Sequence, residues 1–224
     1  MLQVSDLNFR YGDAGFALRI DELRVAPEES VALVGPSGSG KTTLLHLVAG
    51  ILAPDAGTVC VDGQDLGALD AAARRAFRVR RIGLVFQEFE LLEYLSVLDN
   101  VLLPYRIHPA LRLDAGARER ARALAFRLGI GDKLGRMPRS LSQGERQRAA
   151  VCRALVTGPP LLLADEPTGN LDPVNKQRVL DALFELAAES GATILTVTHD
   201  HELLKHFDRV IDLKVFQQPP EAAA

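Results

Sequence analysis

Gly35-Pro36-Ser37-Gly38-Ser39-Gly40-Lys41-Thr42, with Thr43 behind it, stands between the apolar run Val31-Ala32-Leu33-Val34 and the run Leu44-Leu45-His46-Leu47-Val48. The stretch therefore fills a turn between a predicted strand and a predicted helix. Glycine has no Cβ and takes positive φ at little cost, so this backbone can wrap closely around an anion. Successive N–H groups and the helix N-terminus then point at phosphate oxygens. Lys41 is expected to reach the β- and γ-phosphates of a nucleotide, and the Thr42 hydroxyl to take one position on Mg2+. An ordinary glycine-rich turn would leave the Lys-Thr pair without a purpose.

Around this stretch the chain is ordinary in bulk. Its 224 residues allow one large domain or a core with an inserted lobe. Hydrophobic residues make up 47% and charged residues 25%, which is the usage of a folded soluble protein. Disorder is expected at most in Pro219-Pro220-Glu221-Ala222. The net charge of −3 provides no basic field to recruit nucleic acid, so no nucleic-acid partner is expected. Cys60 and Cys152 fall in apolar runs, where buried reduced thiols and a cytosolic setting are expected. No apolar run approaches the ~20 residues that span a bilayer, and Met1 to Asp6 does not read as a signal peptide. Any membrane role therefore calls for a partner chain.

Residues Leu2 to Phe9, Phe16 to Ile20 and, more loosely, Leu23 to Val25 alternate apolar and polar, as half-buried strands of an antiparallel sheet do. Tyr11-Gly12-Asp13 is a turn carrying one aromatic ring, which either packs locally or stacks on a base. Beyond the glycine-rich loop, the helix from Lys41 stops near Gly50, a left-handed cap. Pro54-Asp55-Ala56-Gly57 reads as a turn and Thr58 to Val61 as a short strand. Asp70 caps an Ala/Arg-rich helix, and Arg81 to Phe86 returns as a buried strand ending at Gln87.

From Glu88 to about Val156 the composition changes to helix, with starts at Ser96 and Asp114 and a stop at Gly129. Phe89 to Leu95 is apolar for a connection, and fits either lobe core or a groove for another protein's helix. Ser142 and Glu145 make an S-x-x-E capping box, so a helix begins at Ser142. That helix end is either an ordinary cap or a second anion site.

Leu161-Leu162-Leu163-Ala164-Asp165-Glu166 is a continuous apolar strand ending in two acids. Its apolar run suits the interior of a parallel sheet, and ligands bind at the C-terminal ends of such strands. Asp165 would there hold Mg2+, and Glu166 would orient or deprotonate an attacking water. Asp172-Pro173 starts a helix that Gly191 closes. Thr193 to Thr198 is the next buried strand, and His199 at its end is placed to donate to a γ-phosphate. His201 and His206 lack that placement and are expected at the surface. Alternating strands and helices imply a mainly parallel sheet flanked by helices.

The order of these motifs resembles the nucleotide-binding subunit of an ABC transporter, from Leu2 to about Val215. Gly35–Thr42 resembles that family's Walker A loop and Leu161–Glu166 its Walker B strand. Gln87 matches the Q-loop glutamine, Leu141-Ser142-Gln143-Gly144-Glu145 the signature, Gly169-Asn170-Leu171-Asp172 the D-loop, and His199 the switch histidine. Tyr11 matches the adenine-stacking aromatic. In the usual signature, Leu-Ser-Gly-Gly-Gln, a Gly stands where this chain has Gln143 and a Gln where it has Glu145. Ser142 and Gly144, which the resemblance brings to a γ-phosphate, are kept. Ala164 to Asp172 and Gly144 to Arg148 are similar to the lipoprotein-releasing and macrolide-efflux group, which includes the cell-division ATPase.

The resemblance implies an α/β fold: a P-loop NTPase core with a mainly parallel sheet, an N-terminal antiparallel β subdomain and an inserted helical subdomain. Residues 1–87 and 158–216 would form the core with its β subdomain, 88–157 the helical lobe, and 217–224 a tail beyond a single domain of 1–218. It further implies ATP and Mg2+ as ligands, with Gln87 also near the metal, and a head-to-tail homodimer enclosing ATP between chains. A transmembrane permease would dock near Phe89–Leu95, placing the chain in the cytoplasm, peripheral on the inner face of the cell membrane. The competing readings are a regulatory ATPase that transmits force without transport and a DNA-associated ATPase with the same signature. The second normally carries a long coiled coil, and no heptad run is present here.

Overall fold

The structure, a computed structural model, describes residues 1–12, 16–169 and 171–216, with the backbone alone at residue 174. Asp13, Asn170 and the Pro219–Ala222 stretch lie outside the described residues. Strand β1 (Leu2–Arg10) pairs antiparallel with β2 (Ala17–Val25), from Leu2 opposite Val25 to Arg10 opposite Ala17. The two runs expected between residues 16 and 25 are thus one strand. Asp6 explains why they read as two, because it sits at φ 49° and is skipped in the pairing. That bulge shifts the in-and-out alternation by one residue on each strand.

After β3 (Ser30–Val34) and α1 (Lys41–Val48), β4 (Ala56–Val61) pairs with the other edge of β1, and its register shifts at the same bulge. Ala56 and Gly57, expected in a turn, therefore open the strand. Gly57 sits at φ 86°, and a Cβ there would lie 2.4 Å from the Asp6 carbonyl oxygen, so the strands close only over a glycine. A short β5 (Gln64–Asp65) completes this sheet.

Asp70 caps α2 (Ala71–Arg81) by accepting from the Ala73 N–H, and the helix runs straight into β6 (Ile82–Val85). Arg81, expected in the strand, instead closes the helix and pairs with Asp62. Helices α3 (Val97–Val101), α4 (Leu103–Ile107), α5 (Ala115–Arg127) and α6 (Gln143–Leu155) follow. Then come β7 (Leu161–Asp165), α7 (Pro173–Ser190), β8 (Thr193–Val197) and β9 (Arg209–Asp212). The second sheet has five strands in the order β6-β7-β8-β3-β9, all parallel.

Because side chains alternate along a strand, the parallel sheet feeds two cores. Leu162, Ala164 and Ile194 point into one with the buried faces of α3, α5, α6 and α7. Leu161, Leu163, Leu195 and Val197 point into the other, with α1 and the antiparallel sheet. Ala117, Ala121 and Ala125 form the buried stripe of α5, small enough for the neighbouring helices to approach closely. Cys152 is fully buried in the first core, and burial pushes its thiol pKa up. Cys60 is free but only half-buried. His206, expected at the surface, is half-buried, with its ring 6.3 Å from that of Phe184.

Residues 88–95 do not continue the helical pattern. Phe89 and Glu90 sit at φ 60° and 50°, and their carbonyls accept from the Arg153 guanidinium. Asn100, fully buried, organises the rest. Its Oδ1 accepts from the Leu92 N–H at 2.7 Å, while its Nδ2 faces the carbonyls of Leu92, Leu95 and Ser96 at 3.0–3.1 Å. One amide side chain thus satisfies the Leu92 N–H and the Leu95 carbonyl, and adds a second donor to the Leu92 and Ser96 carbonyls that the Leu95 and Asn100 N–H groups already reach. Asn100→Ala is expected to cost roughly 2–4 kcal/mol, because the Leu92 N–H and the Leu95 carbonyl lose their partner inside the fold. A thermal melt should show the loss as a drop of about 4–16 °C for a chain of this size.

Candidate functional site

The C-terminal edge of the parallel sheet carries the loop from Gly35 to Gly40. Gly38 and Gly40 take φ 78° and 95°, and a Cβ on Gly40 would lie 2.6 Å from the Phe16 ring. Gly35 packs as tightly, since a Cβ there would meet the Ser39 hydroxyl at 2.9 Å. Ser39 is buried beneath the loop, whereas Pro36, Ser37 and Gly38 are exposed. The Lys41 ammonium lies across the loop, donating to the carbonyls of Gly35 at 2.8 Å and Pro36 at 2.9 Å.

What makes the loop an anion seat is the start of α1. Helices α2, α5 and α6 each begin with a side-chain cap, from Asp70, Asp114 and Ser142. Helix α1 begins at Gly40, with no side-chain cap and no acid in its first turn. Its first N–H groups and positive dipole end are therefore left for a ligand.

Facing the loop, Asp165 ends β7, and its carboxylate accepts from the Thr42 hydroxyl at 2.8 Å. Glu166 follows at φ 46° and is only 9% exposed. Its backbone N–H donates to Val197 O of β8 at 3.0 Å, and its carboxylate meets His199 Nδ1 at 2.7 Å. Gln87, just past β6, is exposed with its amide beside Gly169. A cleft of about 520 Å3 joins these groups: Tyr11, Gly35, Ser37, Gly38, Gly40, Lys41, Thr42, Thr43, Gln87, Asp165, Glu166 and His199 all line it. Tyr11 keeps both of its expected possibilities, since its ring packs edge-on against Phe9 at 4.8 Å and still borders the cleft.

The donor set suits Mg2+ of a particular kind. Thr42 and Asp165 bring hard oxygens together at one point, with the Gln87 amide on the cleft wall. Among the described residues there is no cluster of three or more His, Cys, Asp or Glu to make a self-sufficient metal cage. One carboxylate and one hydroxyl fit an ion that completes its shell with water and substrate phosphates.

Ser142, Gly144 and Asp172 do not line this cleft. They lie instead where α6 starts beside the beginning of α7, with Asn175 between Gly144 and Asp172. The capping box is complete: Glu145 N–H donates to Ser142 Oγ at 3.3 Å, and Ser142 N–H donates to the Glu145 carboxylate at 2.8 Å. That backbone N–H lowers the Glu145 pKa, with Lys133 3.8 Å away adding to the effect. Gly144 is glycine for a packing reason, because a Cβ would lie 2.9 Å from the Asn175 amide. Asn175 in turn donates to Asp172 at 2.6 Å and accepts from Arg148 at 3.2 Å. Asn175 and Phe16, which also lines the cleft, carry no motif and were not among the expected site residues.

The ABC transporter family profile matches residues 18–169. The lipoprotein-releasing system ATP-binding protein LolD 2 of Caulobacter vibrioides is 45% identical over 197 residues, covering 88% of this chain and 86% of that protein. LolD of Maricaulis maris is 47% identical over 194 residues, covering 87% and 84%. The macrolide export ATP-binding/permease protein MacB of Syntrophobacter fumaroxidans is 40% identical along the whole chain, which spans 32% of that longer protein. Among solved structures, the dimeric post-hydrolysis state of the ATP-binding cassette MJ0796 with ADP and Pi superposes with a TM-score of 0.86. It is 31% identical, covering 95% of this chain and 94% of that one. The matched span 18–169 takes in the glycine loop and the Asp165–Glu166 strand end, and the chain belongs to the ABC transporter family.

Proposed function

We propose that the chain is the ATP-binding and ATP-hydrolysing subunit of an ABC transporter complex, of the lipoprotein-releasing and macrolide-efflux kind. The observation that carries this reading is the convergence in one cleft of the Thr42–Asp165 pair, the Glu166–His199 pair and the uncapped N-terminus of α1. The loop N–H groups and Lys41 bind the phosphates, with Lys41 exchanging its two loop carbonyls for phosphate oxygens. Thr42, Asp165 and Gln87 would hold Mg2+, which when bound would neutralise charge on the phosphates. Glu166 takes the proton of the attacking water. His199, released from Glu166, donates to the γ-phosphoryl, and Tyr11 supports the base.

Ser142, Gly144 and Asp172 act on another copy. They lie outside the cleft of their own chain, and the family resemblance assigns them to ATP. A head-to-tail homodimer with ATP at each of two interfaces reconciles the two facts. The exposed Ser142 then brings the start of α6 to the neighbouring chain's nucleotide. Dimer closure on ATP and release after hydrolysis give the difference in binding between states that drives a partner.

That partner is a membrane permease, which would hold the chain at the cytoplasmic face of the membrane. No helix among the described residues is long and apolar enough to cross a membrane. We place the docking, expected near Phe89–Leu95, in the groove beside that stretch. Leu91 packs against the helical core, and the open apolar groove lies beside it, about 320 Å3, between Val79, Leu84, Phe86, Leu103 and Ile107. Of the expected stretch, Glu90 borders that groove. Ile107 is 66% exposed there. Ile107→Asp is expected to keep ATP binding and lose co-purification with the permease, measured by affinity pull-down from membranes. The function as a whole is tested by isolating the membrane partner and assaying ATP turnover of the chain alone and in the complex. No turnover in either form would overturn the reading.

A further inference from the structure

Gln147 lies on α6, inside the protein, with 1% of its surface exposed. Its Nε2 donates to the Pro167 carbonyl at 2.6 Å, a buried bond across 20 residues of chain. Pro167 O can only accept, so the amide must present its nitrogen there, and Oε1 is left buried with no partner among the described residues. A buried unpaired acceptor is unfavourable, and an apolar side chain would avoid it. The donor half of the amide must therefore matter.

Pro167 directly follows Glu166, whose backbone at φ 46° is one a non-glycine residue holds only when its surroundings impose it. Three ties impose it here. Glu166 N–H is anchored on Val197 O of β8, Gly169 N–H closes back on Glu166 O at 3.1 Å, and Gln147 holds the Pro167 carbonyl from α6. The same part of α6 is tied a second time to the following segment through Arg148 and Asn175, over the bare backbone of Gly144. The start of α6 is thus bonded both to the 166–169 segment and to Asn175 at the start of α7.

We propose that Gln147 is a positioning residue for Glu166. It transmits the orientation of α6, whose capped end Ser142 lies one turn away, to the backbone that aims the carboxylate. The proposal rests on the reading of Glu166 as the base. Gln147 is buried and does not line the cleft, so its removal disturbs turnover and spares ATP binding.

The test uses Gln147→Leu and Gln147→Glu in the full-length chain, with Glu166→Gln as a reference, in steady-state ATP hydrolysis and nucleotide-binding assays. Gln147→Leu keeps the volume and removes the donor, and is expected to lower kcat about 10- to 100-fold with KM for ATP within about twofold of wild type. Gln147→Glu donates only while protonated, and burial favours that form. Its kcat is expected to approach wild type at low pH and fall as pH rises, at constant KM. This profile also decides the matter if the leucine variant does not fold. A folded Gln147→Leu with wild-type kcat, or a Gln147→Glu profile parallel to wild type, overturns the inference alone. Undiminished turnover in Glu166→Gln overturns the base reading, and the inference with it.

Discussion

Glu166→Gln is expected to bind ATP as well as wild type does, to accumulate as a closed dimer, and to hydrolyse ATP about 10²- to 10⁴-fold more slowly. Each part follows from a separate contact. The groups proposed to hold ATP in the ground state are Lys41 and the N–H groups from the loop into α1, and none of them bonds to residue 166. The backbone at 166 keeps its bond to Val197, and the amide oxygen can still accept from His199, as the carboxylate does at 2.7 Å. What disappears is a group able to take the proton of water, and only the transition state needs that. Binding energy collected from ATP then has no outlet in hydrolysis, so the closed state persists. Light scattering with ATP and steady-state phosphate release measure the two halves. Near-normal turnover would remove Glu166 from the role of base.

Why Glu166 was readable in the sequence and Gln147 was not is a matter of distance along the chain. The phosphate loop is contiguous, its glycines are needed for backbone reasons, and strand and helix patterns on either side place it. Asp165, Glu166 and His199 stand at ends of apolar runs, and parallel strands bring such ends to one edge. Side chains that bond across the fold leave no such trace. Asn100 reads as one polar residue in a short helix, yet it bonds three backbone groups of the 88–95 connection and the Ser96 carbonyl beyond it. That connection read as helical from its composition, but buried amide bonds and two left-handed residues set its path. The break in β2 had a similar cause, since the bulge that produces it lies in β1 at Asp6. Gly144 was legible as part of a motif, but its packing partner Asn175 was not. Charge patterning likewise said nothing of the groove beside Ile107, whose walls come from α2, β6 and α4.

The separation of Ser142 and Gly144 from their own chain's cleft makes a sharper prediction about how many chains build one site. Lys41→Ala removes a phosphate ligand and leaves α6 intact. Gly144→Asp leaves the loop intact and damages α6 twice. Its side chain enters space that Asn175 fills, where even a Cβ would come to 2.9 Å. It also adds a second carboxylate beside Glu145, whose own charge already sits on the Ser142 N–H at 2.8 Å. Two negative charges at the start of a helix repel a phosphate instead of attracting it. In a head-to-tail dimer each nucleotide takes its loop from one chain and its α6 from the other. A mixed dimer of these variants therefore has one site with both lesions and one site with neither. With Glu166→Gln in both chains to hold the closed state, neither variant alone is expected to dimerise with ATP, whereas an equal mixture is expected to do so, read by light scattering. A site completed within one chain would gain nothing from mixing, because every copy would carry its own lesion into its own cleft.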